Sequence, residues 1–303
     1  MAFLQWLADL RNPVLTEFML LITHLGEEVA FLAVALIVFW CINKRQGYYI
    51  LAVGFLGTII NQFLKMWFRI PRPWERDQDF QAVEGAKKEA TGFSFPSGHT
   101  QSSVGTYGAI AVNTNKTWVR WLFVALAGLV SFSRLYLGVH TPQDVLVSLG
   151  IALVLIVVVY PFVFGGNFQK RMLFLFGIML ILNIAYIVFL YSQFDPATNV
   201  ERIKSGFESG FTLLGCLMAF VIVFIVDEKW LRFPVHAKWW VQLIKVIVGI
   251  AIVLAVKGGT KAGLNALMGE YLGRTVRYFL VVIVAGLVWP LTFKWFSRLG
   301  TKE

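Results

Sequence analysis

Residues 151–164 have the sequence IALVLIVVVYPFVF, a run without any charged or amide side chain. Strands of a membrane barrel alternate apolar and polar side chains, and this run does not alternate. Inside a bilayer every backbone polar group needs a hydrogen-bond partner within the protein, and a helix provides those partners within one segment. The run therefore predicts a transmembrane helix.

The composition extends this prediction to the whole chain. Of its 303 residues, 58% are hydrophobic and 15% are charged, and the mean hydropathy is +0.70. Soluble domains carry about 25% charged residues, and disordered chains are poor in apolar side chains. The composition excludes both classes and indicates a polytopic membrane protein.

The pattern of apolar runs predicts an all-α fold, a polytopic bundle of membrane helices. A spanning helix needs about 20 largely apolar residues. Nine segments qualify, of which the first and the third are short: 28–42, 47–68, 97–113, 118–133, 143–164, 172–192, 207–226, 239–256 and 275–293.

Three further segments interrupt or precede these runs. Residues 2–24 are amphipathic and contain Pro13, which predicts interfacial helices with a break near the proline. Residues 69–96 form the longest charged stretch, and a loop of that length is usually functional or disordered. The glycine-rich residues 257–274 predict a short re-entrant or surface helix.

The net charge of +10 raises the question of nucleic acid as a partner. The basic residues lie singly or in pairs between apolar runs, however, and form no basic face, so we expect no nucleic-acid binding. Short loops on one side of the nine-span arrangement are basic, with Lys44, Arg45, Lys170 and Arg171 among them, and such loops face the cytoplasm. We therefore expect an integral protein of a bacterial cytoplasmic membrane, with the opposite face directed outward.

Cysteine usage and the amino terminus add two smaller expectations. Cys41 and Cys216 lie within apolar runs, which is typical of buried small side chains and not of a disulfide or metal framework. Asp9 and Arg11 interrupt the region where a signal peptide would be uncharged, so no cleavable signal is expected.

Three polar clusters fall at the ends of predicted helices on the outward face. The first is KMWFRIPRP, in which Lys65 and Arg72 could snorkel to the membrane interface. The same two cations could also bind a phosphate dianion, because a guanidinium offers a bidentate grip. The sequence leaves both interpretations open for this cluster alone.

The second cluster is FPSGHT. Ser97 suits an N-cap, and Gly98 allows a ligand to approach the backbone closely. A helix amino terminus favours anions, which would place His99 beside a bound anion. The alternative is an ordinary loop-to-helix junction with an exposed histidine.

The third cluster is SRLYLGVHTPQD. Thr141, Pro142 and Asp144 resemble a capping box, which accounts for them without catalysis. Asp144 could instead accept a hydrogen bond from one nitrogen of His140 and leave the other nitrogen free to attack. Arg134 and His140 have no role in the capping interpretation.

Taken together, the three clusters resemble the signature of the type 2 phosphatidic acid phosphatase superfamily. Lys65 and Arg72-Pro73 are separated by six residues, PSGH follows at 96–99, and Ser133-Arg134 precedes His140 by five residues and Asp144 by three more. The resemblance implies a membrane phosphatase core in residues 28–166. It leaves 1–27 as an amphipathic interfacial segment and 167–303 as additional transmembrane helices.

The resemblance also implies a role for each residue. His140 would attack phosphorus, Asp144 would orient His140, and His99 would protonate the leaving oxygen. The phosphoryl oxygens would be bound by five residues: Lys65, Arg72, Ser97, Gly98 and Arg134. No cofactor or metal is implied, and a single carboxylate is too few for a two-metal phosphatase site.

Several functions share these residues. We expect a membrane phosphatase that acts on a lipid monophosphate or diphosphate through a phosphohistidine. The number of helices is similar to that of the glucose-6-phosphatase branch, which keeps a small soluble phosphate as an alternative substrate. A phosphotransferase would use the same residues, and a lipid transporter is a further alternative, although no repeated pair of broken helices is visible.

Overall fold

The computed structural model of the chain describes residues 1–193 and 200–299. Within these residues all regular structure is helical and no strand occurs, which confirms the all-α prediction. The α-helices are α1 (Ala2–Asp9), α2 (Pro13–His24), α3 (Glu28–Cys41), α4 (Lys44–Phe68), α5 (Pro73–Arg76), α6 (Glu84–Glu89), α7 (Gly98–Asn113), α8 (Thr117–Tyr136), α9 (Pro142–Phe164), α10 (Phe168–Ser192), α11 (Val200–Val226), α12 (Trp239–Gly259), α13 (Lys261–Met268), α14 (Glu270–Ile283) and α15 (Phe293–Phe296). Short π-helical turns at Asp227–Leu231 and Val284–Val288 and a 3-10 turn at Pro290–Thr292 complete the elements.

Local sequence explains where several helices begin. Asn12 caps α2 by accepting from the amide of Leu15, and Pro13 occupies the first helical position, where its missing amide costs nothing. Ser97 caps α7 by accepting from the amide of Thr100 at 3.3 Å. The predicted break near Pro13 and the predicted cap at Ser97 are both confirmed.

The described residues contain seven helices that are long and apolar enough to cross a membrane, or up to eight if the bent pair of α2 and α3 forms one span. The predicted count of nine is therefore not confirmed. The difference comes from the two segments that were short in sequence. α3 has 14 residues and joins α2 at a 53° bend, and α7 has 16 residues.

Apolar side chains on the spans face outward from the protein. Val157 is 71% exposed, Ile181 68% and Ile247 59%. Large apolar side chains on several helices would be unfavourable in water, but they suit the hydrocarbon interior of a bilayer. The chain is an integral membrane protein.

The chain forms two compact units, which we call unit 1 (1–34, 49–160 and 194–206) and unit 2 (35–48, 161–193 and 207–303). In unit 1, α2 packs against α8. Met19 and Ile22 of α2 are buried in two apolar clusters, the first with Tyr136 and the second with Val130. The amino-terminal segment thus contributes to the core of unit 1, while Trp6 of α1 stays 56% exposed.

Unit 2 buries polar groups as well as aromatic rings. Lys44 Nζ lies 2.7 Å from Asp227 Oδ1, and Lys245 Nζ donates to the carbonyl of Trp40 at 2.9 Å. In the glycine-rich stretch, α13 follows α12 directly after Thr260, and Gly269 turns the chain into α14 with a φ of +77°. The predicted short helix is therefore present.

Candidate active site

The three polar clusters meet in unit 1, where backbone hydrogen bonds join them. The amide of Ser94 donates to the carbonyl of Ile70 at 2.8 Å, which links the loop before α7 to the end of α4. The amide of Ser97 donates to the carbonyl of Asp144 at 3.1 Å, which links the start of α7 to the start of α9. Stretches that are distant in sequence are therefore held in one place by the main chain.

Arg72 is the most extensively bonded cation of the site. Its Nη2 donates to Thr91 O at 2.8 Å, its Nε to Gly92 O at 3.2 Å and its Nη1 to Val139 O at 3.0 Å. Nη1 also lies 3.0 Å from Nε2 of His140. Three carbonyls thus hold the guanidinium beside the imidazole. Arg72 is only 4% exposed, so these carbonyls replace the water that would otherwise solvate the charge.

The other two predicted cations are also buried. Lys65 Nζ donates to Phe93 O at 2.7 Å. Arg134 is 1% exposed and donates from Nη1 to Thr23 Oγ1 at 2.5 Å, while its Nε is buried without a hydrogen-bond partner among the described residues. Burial argues against snorkelling to the interface, the alternative that the sequence left open for the first cluster.

His99 is the second residue of α7. It lies within electrostatic range of four other site residues, Arg134, His140, Arg72 and Lys65. Its Nε2 is buried and has no hydrogen-bond partner in the described chain. On one side it lies against Gly26 of the amino-terminal segment. The two backbones approach so closely there that a Cβ added at Gly26 would lie only 3.2 Å from the His99 carbonyl oxygen. The structure thus brings both site histidines to the same cluster of cations.

His140 lies between Arg72 and Asp144. A guanidinium can only donate, so the contact with Arg72 makes Nε2 of His140 the acceptor and leaves the proton of a neutral ring on Nδ1. Nδ1 is 3.4 Å from Asp144 Oδ2, which is within ion-pair range but makes no hydrogen bond in this structure.

Asp144 itself bonds more closely to other groups. Its Oδ2 accepts from Ser94 Oγ at 2.7 Å and from the amide of Thr141 at 2.8 Å, and its own amide lies 3.4 Å from Thr141 Oγ1. The capping box is therefore formed, and the same carboxylate oxygen faces His140. The two interpretations of Asp144 are compatible.

The environment of His140 favours the neutral imidazole. Burial lowers the pKa of His140 well below its ordinary value of 6.5, and the positive charges of Arg72, Arg134 and Lys65 lower it further. A neutral ring has a lone pair available for attack on an electrophile. The surroundings of His140 therefore favour a neutral imidazole among the cations of the site.

Two polar residues of the site were missed by the sequence reasoning. Thr23 binds Arg134 from the amino-terminal segment, and Ser94 binds Asp144 from the loop before α7. Both are fully buried. Neither belongs to a motif, and a lone threonine or serine carries no signal of its partner in the sequence.

The chemistry of the donors suits an anion. Three cations and two imidazoles surround the site, and Asp144 supplies the carboxylate at its centre. Near Arg134, His24, Glu27 and Glu89 bring one potential metal ligand each within 4.8 Å of one another, and Glu27 and Glu89 lie within electrostatic range of Arg134. This trio is open to solvent, and exposed acidic groups of this kind are common without an ion.

A set of buried cations around imidazoles at the ends of membrane helices is an arrangement suited to a phosphate group, and hence to a membrane phosphatase. Comparison with known families agrees: residues 46–168 match the PAP2 superfamily, and residues 211–302 match the transmembrane extension of PAP2 superfamily phosphatases. The chain belongs to the PAP2 superfamily. Every site residue predicted from the sequence lies within 46–168, whereas Thr23 lies outside it.

Curated relatives extend this result. The chain is 32% identical over 166 residues to phosphatidylglycerophosphatase B of Bacillus subtilis, covering 50% of this chain and 77% of the relative. It is 31% identical to undecaprenyl-diphosphatase BcrC of the same organism, covering 48% and 72%.

A solved structure, the transmembrane PAP2-type phosphatidylglycerolphosphate phosphatase of Bacillus subtilis, is 30% identical to this chain. It matches with a TM-score of 0.45 over 53% of this chain and 82% of that one. The sequence relatives and the family matches make this chain a membrane lipid phosphatase.

Proposed function

We propose that the chain hydrolyses a lipid phosphate through a phosphohistidine formed on His140. The observation that carries this proposal is the position of His140, with Nε2 against the guanidinium of Arg72 and Nδ1 facing Asp144. A bound phosphoryl group would enter beside Arg72 and meet the lone pair of Nε2. Asp144 would then stabilise the proton on Nδ1 as positive charge develops on the ring.

In this proposal, the cations bind and orient the phosphoryl group. Lys65, Arg72 and Arg134 neutralise the equatorial oxygens, while Ser97 and the amide of Gly98 complete the binding site at the start of α7. The backbone carbonyls that hold Arg72 keep its guanidinium beside His140 before substrate arrives. The hydrogen bond from Nη1 to Nε2 would break when the phosphoryl group binds, which frees the lone pair of Nε2.

The reaction has two balanced steps. In the first, Nε2 of His140 forms a bond to phosphorus, the bond from phosphorus to the lipid oxygen breaks, and the protonated ring of His99 donates its proton to that oxygen; the negative charge of the bound phosphate would favour this protonated form. In the second, His99 accepts a proton from water as the water oxygen attacks phosphorus. The bond to Nε2 then breaks, which releases inorganic phosphate and restores His140.

The proposed mechanism needs no metal ion. The positive charge that a phosphatase metal would supply comes from three buried side chains, and Asp144 already accepts two hydrogen bonds. A metal-dependent site would need several free carboxylates or imidazoles arranged around one ion. We therefore expect full activity in the presence of a chelator.

The proposed substrate is the terminal phosphate of a lipid phosphate or diphosphate. Two relatives are named for phosphatidylglycerophosphate and undecaprenyl diphosphate, which supports a lipid of this kind. We place the reaction at the outer face of a bacterial cytoplasmic membrane, because the short basic loops lie on the other side of the predicted arrangement. Residues 28–166 would carry the chemistry, with 1–27 and 167–303 as accessory segments.

The test is phosphate release by the purified full-length protein in detergent. The panel contains phosphatidate, phosphatidylglycerophosphate, a polyprenyl diphosphate, a sphingoid phosphate and glucose 6-phosphate, each with chelator present. We expect release from at least one of the lipids and inhibition by vanadate, and we expect His140→Ala to abolish release while the protein remains folded.

Three results would contradict this proposal. Exclusive hydrolysis of glucose 6-phosphate would favour the soluble-substrate alternative, and a strict need for added divalent metal would exclude the mechanism. Turnover that persists in His140→Ala would show that His140 is not the nucleophile.

A further inference from the structure

Two arginines near the start of α14 lie within an apolar span that runs to Phe296. They are Arg274 and Arg277, which belong to unit 2 and to the part of the chain matched by the transmembrane extension. A charged side chain within a membrane span is costly, and its presence usually marks a functional site. The phosphatase mechanism uses neither arginine.

Arg277 is buried, and two of its three guanidinium nitrogens lack acceptors. It is 4% exposed, and its Nε and Nη1 have no hydrogen-bond partner in the part of the chain that the structure describes. Its guanidinium approaches the ring of Tyr278 at 5.4 Å. Because a guanidinium stays charged in proteins, such burial demands a partner that can accept hydrogen bonds.

Arg274 lies on the same side of α14, three residues before Arg277. Its Nη2 is 2.8 Å from Glu208 Oε2, but its Nε is buried and without a partner among the described residues. Glu208 therefore pairs with one nitrogen of Arg274, while Nε of Arg274 and Nε and Nη1 of Arg277 remain without an acceptor among the described residues.

Neither α12 nor α13 supplies a second carboxylate, and the nearest one along the chain is Glu270, four residues before Arg274. Residues 239–268, which form α12 and α13, contain Lys245, Lys257 and Lys261 but no aspartate or glutamate. Lys257 adds to the positive charge, with its Nζ 5.8 Å from the ring of Tyr278. The side chains of α12 and α13 therefore increase the demand for an anion around α14.

An unpartnered acceptor lies against the same helix. A Cβ added at Gly273 would lie 2.7 Å from Leu264 O and 2.9 Å from Asn265 Oδ1, so α13 and α14 touch at this glycine. Asn265 Oδ1 is buried and has no hydrogen-bond partner in the described chain. Arg277 follows Gly273 by four residues, on the same face of α14.

We propose that Arg274, Arg277 and Asn265 bind the head group of an anionic phospholipid that carries a hydroxyl group, such as phosphatidylglycerol. The phosphate would accept hydrogen bonds from the two guanidiniums, and a head-group hydroxyl would donate to Asn265 Oδ1. A lipid suits the place because the site lies in a membrane span. Leu267 and Leu272, which are 81% and 54% exposed, offer apolar surface for its chains.

The test uses the full-length protein after thorough exchange into a neutral detergent. Dioleoylphosphatidylglycerol or dioleoylphosphatidylcholine is added at increasing mole fraction, and the Tm is measured. We expect the anionic lipid to raise the Tm of the wild type and the zwitterionic lipid to have little effect, because a ligand of the folded state stabilises it. Arg277→Gln should lose this rise, whereas Arg171→Gln, which removes an exposed arginine, should retain it.

A second measurement separates ligand binding from a purely structural role. Without anionic lipid, Arg277→Gln should have a Tm equal to or above that of the wild type, because it removes a buried charge that has no partner. A lower Tm in neutral detergent would show that the protein itself satisfies Arg277, and it would overturn the proposal.

Two further arms complete the test. Inorganic phosphate and glycerol 3-phosphate should leave the Tm unchanged; an equal rise with either would assign the site to a soluble anion.

If Arg277→Gln does not fold, Arg274→Gln and Asn265→Ala are titrated with phosphatidylglycerol. For Arg274→Gln, the phosphatidylglycerol mole fraction at the midpoint of the rise in Tm should increase about tenfold or more, as expected for a lost charged hydrogen bond. Unchanged midpoints in both variants would overturn the proposal.

Discussion

Arg72 and Arg277 are equally buried guanidiniums with opposite surroundings. Each is 4% exposed. Arg72 donates to the carbonyls of Thr91, Gly92 and Val139, whereas Nε and Nη1 of Arg277 have no hydrogen-bond partner in the described chain. The contrast separates two uses of a buried cation. In the two proposals, one is held by the protein so that it can stabilise a transient charge, and the other binds a ligand that stays bound.

The largest effect should come from changing the bonding geometry of Arg72 and keeping its charge. Arg72→Lys leaves one ammonium where a planar guanidinium reached three carbonyls and the phosphoryl position. We expect kcat/KM for lipid phosphate to fall about 100- to 1000-fold, as for the loss of one preorganised donor. Lys170→Arg is the reverse exchange at an exposed position, and it should leave kcat/KM unchanged. A loss below tenfold for Arg72→Lys would mean that charge alone suffices there.

A smaller effect should follow from releasing Arg134. Thr23→Val removes the hydroxyl that accepts from Arg134 Nη1 and nearly preserves the shape of the side chain. We expect a loss in kcat/KM of about tenfold, since hydrogen bonds to charged groups contribute about 1.5–3 kcal/mol. Thr23→Ser restores the hydroxyl and should recover most of the activity. If Thr23→Ser is as impaired as Thr23→Val, Thr23 contributes packing and does not position Arg134.

A still smaller loss of activity should follow from changing Ser94, which acts through Asp144. Ser94→Ala removes one donor to Asp144 Oδ2, while the amide of Thr141 still holds that oxygen. We expect a loss of a few-fold, confined to kcat, because the carboxylate assists His140 and does not contact substrate. An increase in KM with unchanged kcat would instead place Ser94 in substrate binding.

The smallest effect concerns the proton affinity of His140. In the wild type its pKa should lie well below 6.5, and Arg72→Gln should raise it by removing one neighbouring positive charge. The rise should be partial, because burial is the larger cause and remains in the variant. A titration of labelled histidine by NMR in detergent micelles measures both values. A pKa near or above 6.5 in the wild type would contradict this description of the site.

Some features of this protein could be predicted from the sequence and others could not. The motif residues stand at the ends of α4, α7, α8 and α9, where the sequence placed them, because caps and apolar runs are local signals. The membrane topology was less predictable. α3 and α7 are short, so their sequences do not distinguish a full span from part of a bent one.

Partners at long range were not predictable. Thr23 and Arg134 are separated by 111 residues, and Ser94 and Asp144 by 50. Their bonds depend on how α2 and the loop before α7 pack around the site. Asp144 illustrates this most clearly. The motif predicted two roles for it, a helix cap and an orienting group for His140. In the structure one oxygen, Oδ2, accepts from the amide of Thr141 and also faces His140.

By itself the amino-acid sequence determined that this chain is a helical membrane protein and which residues lie at its helix ends, because hydropathy and capping act over a few residues. Only the tertiary structure decided which carbonyls hold Arg72, that Thr23 reaches Arg134 and that Nε and Nη1 of Arg277 have no hydrogen-bond partner in the described chain. Those contacts join segments that are far apart along the chain, and no local pattern specifies where such segments meet.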